Sequence, residues 1–244
     1  PTRKRNRLKT TSPDGSGKEK YMENEHISKA FDIELNFLRQ SILIMGGKVE
    51  LMIADSVKSL VERDTVLAER TIALDHEVNA AEVAIDEHCL ELLALRQPVG
   101  RDLRFITIAL KIVTDLERIG DQCANIAKRT RELNEEPPLK PYIDIPRMAH
   151  RAEIMVKEAL DAFVIGDADL AVKVCNDDSY VDDLNSQIQR ELLTYMIEDP
   201  TTISRAMKLN YISKSLERVA DHATNVAEMV IFMVKGKDIR HMIA

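Results

Sequence analysis

The stretch DLERIGDQCANIAKR, residues 115–129, recurs as SLERVADHATNVAEM at residues 215–229. Six of these fifteen positions are identical, and two more exchange Ile for Val. Further upstream the offset changes from 100 to 103 residues, as Asp75 and Asp178 illustrate. Self-similarity at a fixed period is typical of a chain that builds one structural unit twice.

Apolar residues around the repeat follow alternating steps of three and four. The first long segment shows the series Phe31, Leu35, Leu38, Ile42, Met45, Val49 and Met52. This spacing is typical of the seam of a helical bundle, and no segment alternates between apolar and polar residues as a strand would. The sequence therefore predicts an all-α fold of two tandem, sequence-related three-helix bundles with six long helices.

Prolines mark the division between the two halves. Four of the eight prolines fall within residues 133–146, and proline cannot continue a helix. The predicted organisation is a basic, disordered tail at 1–23, a first bundle at 24–136, a Pro-rich linker at 137–146, a second bundle at 147–236 and a C-terminal tail at 237–244. Asp64 and Asp167 are predicted to cap the second and fifth helices.

Composition excludes several classes of protein. The formal net charge is -7, and outside the basic N-terminal tail the chain is more acidic still, so we expect no nucleic-acid partner. The three cysteines show no CxxC spacing, which argues against a disulfide framework and a cysteine-based zinc site. No apolar run approaches the roughly 20 residues of a membrane-spanning helix, so we expect a soluble protein.

The repeat preserves two acidic pairs, Glu117 with Asp121 and Glu217 with Asp221. Residues four apart lie on one face of a helix, so each pair directs two carboxylates to one place. Glu117 also falls in the seam register, where an apolar side chain is expected. Neighbouring carboxylates in such a place repel each other unless a cation is present, and carboxylate clusters suit hard metal ions. The alternative, in which the acids face solvent or pair with arginines, stays open.

Other polar residues are weaker candidates for the same site. Acids along one face of the second and fifth helices would add ligands from Asp75, Glu82, Asp86, Asp178 and Asp182. Basic residues of the third and sixth helices, among them Arg104, Arg118 and Arg218, are candidates for contacts with an anionic partner, or simply keep those helices solvated.

Five segments, in their order and spacing, resemble the signature segments of the PhoU family. They are LRQPVGRDLR (95–104), DLERIGD (115–121), LTYMIEDP (193–200), SLERVAD (215–221) and VKGKDIRH (234–241). The resemblance covers roughly residues 25–241 and implies two three-helix bundles placed side by side. It also implies a cytoplasmic homodimer that reaches the membrane through its partners.

The resemblance further implies a regulatory role in phosphate homeostasis. Members of the family inhibit phosphate uptake and the phosphate-starvation response, and are thought to bridge the ATPase subunit of the phosphate transporter and the sensor histidine kinase. Some members bind metal at their acidic motifs, with iron the first candidate here and manganese, magnesium or zinc as alternatives. By position, that role falls on Glu117, Asp121, Glu217 and Asp221. Ser215 replaces the acid found at Asp115, so the second cluster is expected to be poorer in ligands.

Two further hypotheses compete with a regulator that binds metal. A carboxylate-bridged di-metal redox enzyme would use a Glu-x-x-His pair from each of two helices, whereas this chain has one such pair, Glu23 and His26. The sequence therefore predicts that the protein is not an enzyme. A helical scaffold without bound metal is the other hypothesis.

Overall fold

The computed structural model describes the backbone of residues 16–236 and the side chains of residues 29–236. Its six α-helices are α1 (Ser16–Glu62), α2 (Thr65–Arg96), α3 (Gly100–Asn134), α4 (Asp144–Ile165), α5 (Ala168–Glu198) and α6 (Ile203–Lys235). A 3₁₀ turn, Pro200–Thr202, precedes α6, and residues 16–236 contain no strand. The predicted all-α fold is confirmed. None of the described helices is both long and apolar enough to cross a membrane.

The predicted tails fall largely outside the described residues, which leave out 1–15 and 237–244. Helix α1 begins at Ser16, so residues 16–23 are helical rather than part of a disordered tail. The chain up to Phe37 forms one unit, of which the structure describes the first part of α1, and the remaining residues form a second unit.

Helices α3 and α6 lie at the centre of the second unit. Helix α3 packs on α2 and α6, while α6 also packs on α4 and α5. Beyond residue 38, α1 is joined to α2 by an ion pair of 2.8 Å between Lys48 and Glu77. The Arg39 guanidinium also lies 4.5 Å from the centroid of the Phe105 ring on α3. The two three-helix bundles therefore lie side by side, with α3 and α6 between them.

The predicted seam of α1 is buried. Leu38, Ile42, Met45, Val49 and Met52 have no exposed surface. Removing one such side chain from water stabilises the fold by about 1.5–3 kcal/mol relative to leaving it exposed. The steps of three and four therefore identify the face of α1 that enters the core.

Both predicted N-caps are confirmed. The Asp64 carboxylate accepts a hydrogen bond of 3.0 Å from the backbone N–H of Leu67 at the start of α2. The Asp167 carboxylate accepts hydrogen bonds of 2.9 and 3.0 Å from the N–H groups of Asp169 and Leu170 at the start of α5. Each cap satisfies backbone donors that the first helical turn leaves unpaired.

The Pro-rich connection between α3 and α4 is held against the second bundle. Arg205 donates a hydrogen bond of 3.0 Å to the Pro137 carbonyl. The Lys140 ammonium, whose side chain is only 5% exposed, is paired with Glu191 on α5. These contacts give the connection a defined path into α4.

Candidate functional site

The first acidic cluster lies where α2 packs on α3. Burial, followed by repulsion from Asp121, raises the pKa of Asp75. The same two causes, in the same order, raise the pKa of Glu117. Burial, followed by repulsion from Asp86, raises the pKa of Glu82. The acidic pair of α3 and the three acids of α2 therefore share one electrostatic environment, as their spacing predicts.

Two features of α3 shape this cluster. The Glu117 side chain is only 14% exposed, in agreement with its seam register. At Gly120, an added Cβ would lie 3.4 Å from Asp75 Oδ1 and 3.3 Å from Val78 Cγ1. A larger residue at position 120 would therefore crowd α2 at the place where Asp75 lies beside α3.

Arg118 supplies positive charge to the first cluster. Its Nε atom is 3.4 Å from Glu117 Oε2, and its Nη1 atom is 3.7 Å from Asp121 Oδ2. In the first cluster, therefore, an arginine does pair with the acids, as the alternative interpretation expects. Because the Arg118 side chain is 57% exposed, solvent screens this pairing and limits what it contributes to stability.

The second cluster repeats this arrangement where α5 packs on α6. The pKa of Asp178 is raised to about 6 by burial, and then by repulsion from Asp182 and Asp221. Burial, followed by repulsion from Glu217, raises the pKa of Asp182 and of Asp221. The Lys214 ammonium is paired with Glu217, just as the Arg118 guanidinium is paired with Glu117 in the first cluster.

Several oxygen atoms in these clusters have no hydrogen-bond partner. Within residues 29–236, the buried atoms without one include Asp75 Oδ1, Asn79 Oδ1, Asp86 Oδ1 and Asp178 Oδ1. Leaving a buried polar atom unpaired costs about 1–3 kcal/mol. All four atoms are acceptors, so a cation or a water molecule would satisfy them.

The carboxylate donor set suits a hard cation such as magnesium, manganese or iron. Raised pKa values are found for seven of the predicted ligands, and burial also raises the pKa of Glu50 on α1. In the same range, however, no three Asp, Glu, His or Cys side chains are arranged to hold one ion. Helix packing thus groups the carboxylates, while Arg118 and Lys214 supply the positive charge beside them.

The three arginines predicted to contact a partner lie in different surroundings. Arg118 belongs to the first acidic cluster. Arg104 lies next to Gly236, where an added Cβ would be 3.1 Å from its Nη1 atom. Arg218, on α6, lines a cavity between α3 and α6 together with three basic residues of α3.

One polar contact between the bundles was missed by sequence reasoning. His222 Nδ1 on α6 lies 2.7 Å from Asp115 Oδ1 on α3, and Asn225 Nδ2 donates a hydrogen bond of 3.4 Å to the same oxygen. The signal was present in the repeat, where Asp115 aligns with Ser215. That difference was interpreted as a lost metal ligand, whereas Asp115 contacts the opposite bundle.

The cysteines and the Glu23–His26 pair are further groups with metal-binding chemistry. All three cysteines are free, and burial raises the pKa of Cys89 to about 12 and that of Cys175 to about 11. Such thiols stay protonated at neutral pH and are poor metal ligands. Glu23 and His26 are part of α1, but their side chains lie outside the described residues.

Comparison with known proteins gives matches to both bundles. The PhoU domain matches residues 42–130 and again residues 145–230. The phosphate-specific transport system accessory protein PhoU homolog of Pseudomonas aeruginosa is 44% identical over 218 residues, which cover 89% of this chain and 90% of that protein.

Solved structures agree with these matches. The crystal structure of PhoU from Pseudomonas aeruginosa has a TM-score of 0.82 and 43% identity, and the match covers 85% of this chain and 100% of that one. The crystal structure of the phosphate transport system regulatory protein PhoU from Streptococcus pneumoniae has a TM-score of 0.79 and 31% identity. The match covers 85% of this chain and 98% of that one. Each matched domain range contains one of the two acidic pairs. The chain therefore belongs to the PhoU family.

Proposed function

We propose that this protein is a non-enzymatic negative regulator of phosphate homeostasis, which restrains phosphate uptake and the phosphate-starvation two-component response. The observation that carries the proposal is the PhoU domain match to both bundles. A relative of nearly the same length is named an accessory protein of the phosphate-specific transport system, and a structural neighbour is named its regulatory protein.

In this proposal the protein is a cytoplasmic adaptor that reaches the membrane through its partners. It contacts the ATPase subunit of the phosphate transporter and the phosphate-sensing histidine kinase, with Arg104, Arg118 and Arg218 among the contact residues. Val83 and Leu90, one heptad apart on α2, are 57% and 60% exposed. Exposed apolar side chains at this spacing offer contact area to a partner or to a second copy in a homodimer.

The proposal includes a metal ion at each acidic cluster, with iron the first candidate and manganese, magnesium or zinc as alternatives. Glu117, Asp121, Glu217 and Asp221 would hold the ions, with Asp75, Glu82, Asp86, Asp178 and Asp182 as further ligands. When bound, the ion supplies positive charge that keeps neighbouring carboxylates ionised and joins the two helices that carry them. Arg118 and Lys214 would then be released from their carboxylates and become available to a partner.

Co-purification tests the adaptor role. Tagged protein is incubated at low salt with the transporter ATPase subunit and, separately, with the kinase. We expect both to be retained and Arg218→Glu to weaken retention, because it reverses a charge exposed on α6. Arg101→Glu makes the same change at an exposed position outside the predicted contacts and serves as the control. Retention of neither partner by the wild-type protein would contradict the proposal.

Uptake in cells tests the regulatory role. Removing the protein is expected to raise phosphate uptake when phosphate is plentiful, and supplying the wild-type chain is expected to restore the lower rate. Uptake that is unchanged by removal would count against negative regulation, whatever the co-purification shows.

A further inference from the structure

A basic cavity of about 470 Å³ lies between α3 and α6, the helices that join the two bundles. Four cationic side chains line it, Lys128, Arg129 and Arg131 from α3 and Arg218 from α6, against a single acid, Glu132. Its volume is within the range of about 300–1,000 Å³ that is usual for small-molecule sites. The lining is therefore positively charged, although the whole chain has a net charge of -7.

One of the four cations, Arg129, forms an ion pair within residues 29–236. Arg129 Nη1 lies 2.8 Å from Glu132 Oε1, and its guanidinium lies 5.4 Å from the centroid of the Tyr211 ring. Lys128, Arg131 and Arg218 form no ion pair within residues 29–236. Glu132 therefore offsets one of the four cations, while the charge of Lys128 also opposes the rise that burial causes in the pKa of Asp75.

Neutral hydrogen-bonding groups complete the lining. Asn125 and Ser215 contribute an amide and a hydroxyl, both of which can donate to an oxyanion. Gln122 also lines the cavity, and its side-chain amide can donate through its N–H groups. A guanidinium and an ammonium accompanied by such donors are the groups that recognise phosphate in proteins.

The internal repeat provides a direct comparison for this cavity. Five of the nine lining positions have equivalents, one repeat away, that line a second cavity of about 590 Å³ between α3 and α6. There Lys128 is replaced by Glu228, and Ser215 by Asp115. Asp86 adds a further carboxylate to that lining. Since an acid and a methionine stand at the positions equivalent to Lys128 and Arg129, helix packing does not require cations at these two positions.

We propose that the basic cavity binds a small phosphate-bearing anion, held from both sides by Lys128 and Arg218. Because these residues belong to helices of different bundles, a bound anion would connect the two halves of the molecule. This site lies outside the proposed metal ligands and goes beyond the regulatory function, and its test needs neither the transporter nor the kinase.

Titration calorimetry of the full chain with inorganic phosphate, and separately with pyrophosphate, tests the proposal. We expect saturable binding of at least one of them, weakened about tenfold or more by Lys128→Glu, which corresponds to about 1.4 kcal/mol. The substitution copies Glu228, a residue accepted at the equivalent position. Arg101→Glu carries the same charge change at an exposed position on α3 and is expected to leave the dissociation constant within about twofold.

A second variant keeps the test decisive if Lys128→Glu proves unstable. Ser215→Asp copies Asp115 at the other wall of the cavity and should weaken binding in the same direction. Vesicles containing phosphatidylglycerol distinguish a lipid headgroup from a free anion, and binding to vesicles alone would overturn the proposal. The absence of saturable binding by either anion would also overturn the proposal. An equal loss of affinity in Arg101→Glu would do the same, because it would show that the net charge of the protein, and not the cavity, attracts the anion.

Discussion

Asp178 shows at the scale of one residue how helix packing opposes ionisation. Its pKa is raised to about 6 by burial and by the neighbouring carboxylates Asp182 and Asp221, whereas an unfolded chain releases this proton near pH ~3.9. The folded protein therefore binds the proton more tightly than the unfolded protein does. It follows that the free energy of unfolding gains from this group as the pH falls below about 6 and loses that gain as the pH rises.

The first prediction compares Asp178→Asn with the wild type in the presence of a chelator. The amide carries no charge, so at pH 7 the variant should be more stable by about 1 kcal/mol, a figure discounted from the full shift because the group is only half-buried. At about pH 4.5 the difference should be clearly smaller, because the carboxyl group of the folded wild type is then protonated, and it should disappear below about pH 3.9, where the unfolded chain is protonated as well. Urea unfolding of both proteins at each pH measures the difference in the free energy of unfolding. A variant less stable than the wild type at pH 7 would contradict the prediction.

Single residues also show where prediction from sequence stops. The spacing of Glu117 and Asp121 predicts that both carboxylates share one face of α3, because that follows from the helical repeat alone. His222 adjoins Asp221, and because adjacent residues of a helix point about 100° apart, the spacing gives it no place in the acidic pair. Its actual partner, Asp115, lies on another helix, and no periodicity within one helix reveals such a contact.

At the scale of helices, α1 approaches α4 closely at Gly46. A Cβ at position 46 would overlap Leu160 Cδ1, whereas a Cβ at the adjacent Gly47 would have nothing within 4 Å. Gly46 is buried and Gly47 exposed. Neighbouring glycines of one helix therefore provide a matched pair, in which only the first is required by the contact between helices.

The second prediction uses this pair. Gly46→Val should lower the free energy of unfolding by about 2 kcal/mol, because the added methyl groups must displace Leu160 from a packed interface. Gly47→Val should change it by less than about 0.5 kcal/mol, since its side chain points into open space and valine is a slightly better helix former than glycine. Midpoints of urea unfolding at one pH give both values. Equal losses in the two variants would show that α1 and α4 do not meet at Gly46.

Helix boundaries were predictable wherever a capping residue or a proline marks them. Asp64 and Asp167 cap α2 and α5 as predicted, because a short acidic side chain satisfies the first N–H groups of a helix. The start of α1 was predicted too late, since the mostly polar residues 16–23 lack the apolar spacing on which the prediction relied. That α3 and α6 are the helices between the bundles could not be predicted, because spacing identifies a buried face but not its partner.

For the whole molecule, the repeat duplicates the architecture but not the charge. Each bundle groups acids from two adjacent helices, with a single cationic side chain paired to the central glutamate. The cavities between the bundles differ in charge, since three acids and one lysine line the first, and four basic residues and one acid line the other. Duplication thus leaves two similar acidic clusters and one basic cavity, which differ in the charge they present.

The central claim is that the two acidic clusters gather cations. The most direct measurement is the manganese or iron content of protein that has been stripped with a chelator, reloaded with one metal and freed of excess ion. It compares the wild type with Glu117→Gln/Glu217→Gln. Glu62→Gln/Glu198→Gln, which alters two exposed glutamates near helix ends, is the control.

We expect the wild type and the control to retain metal, and the cluster variant to bind it at least about tenfold more weakly. Without metal, the cluster variant should be at least as stable as the wild type, because removing two of the mutually repelling charges relieves their cost. Equal metal retention by the cluster variant and the wild type, or no retention by the wild type of either metal, would contradict the claim.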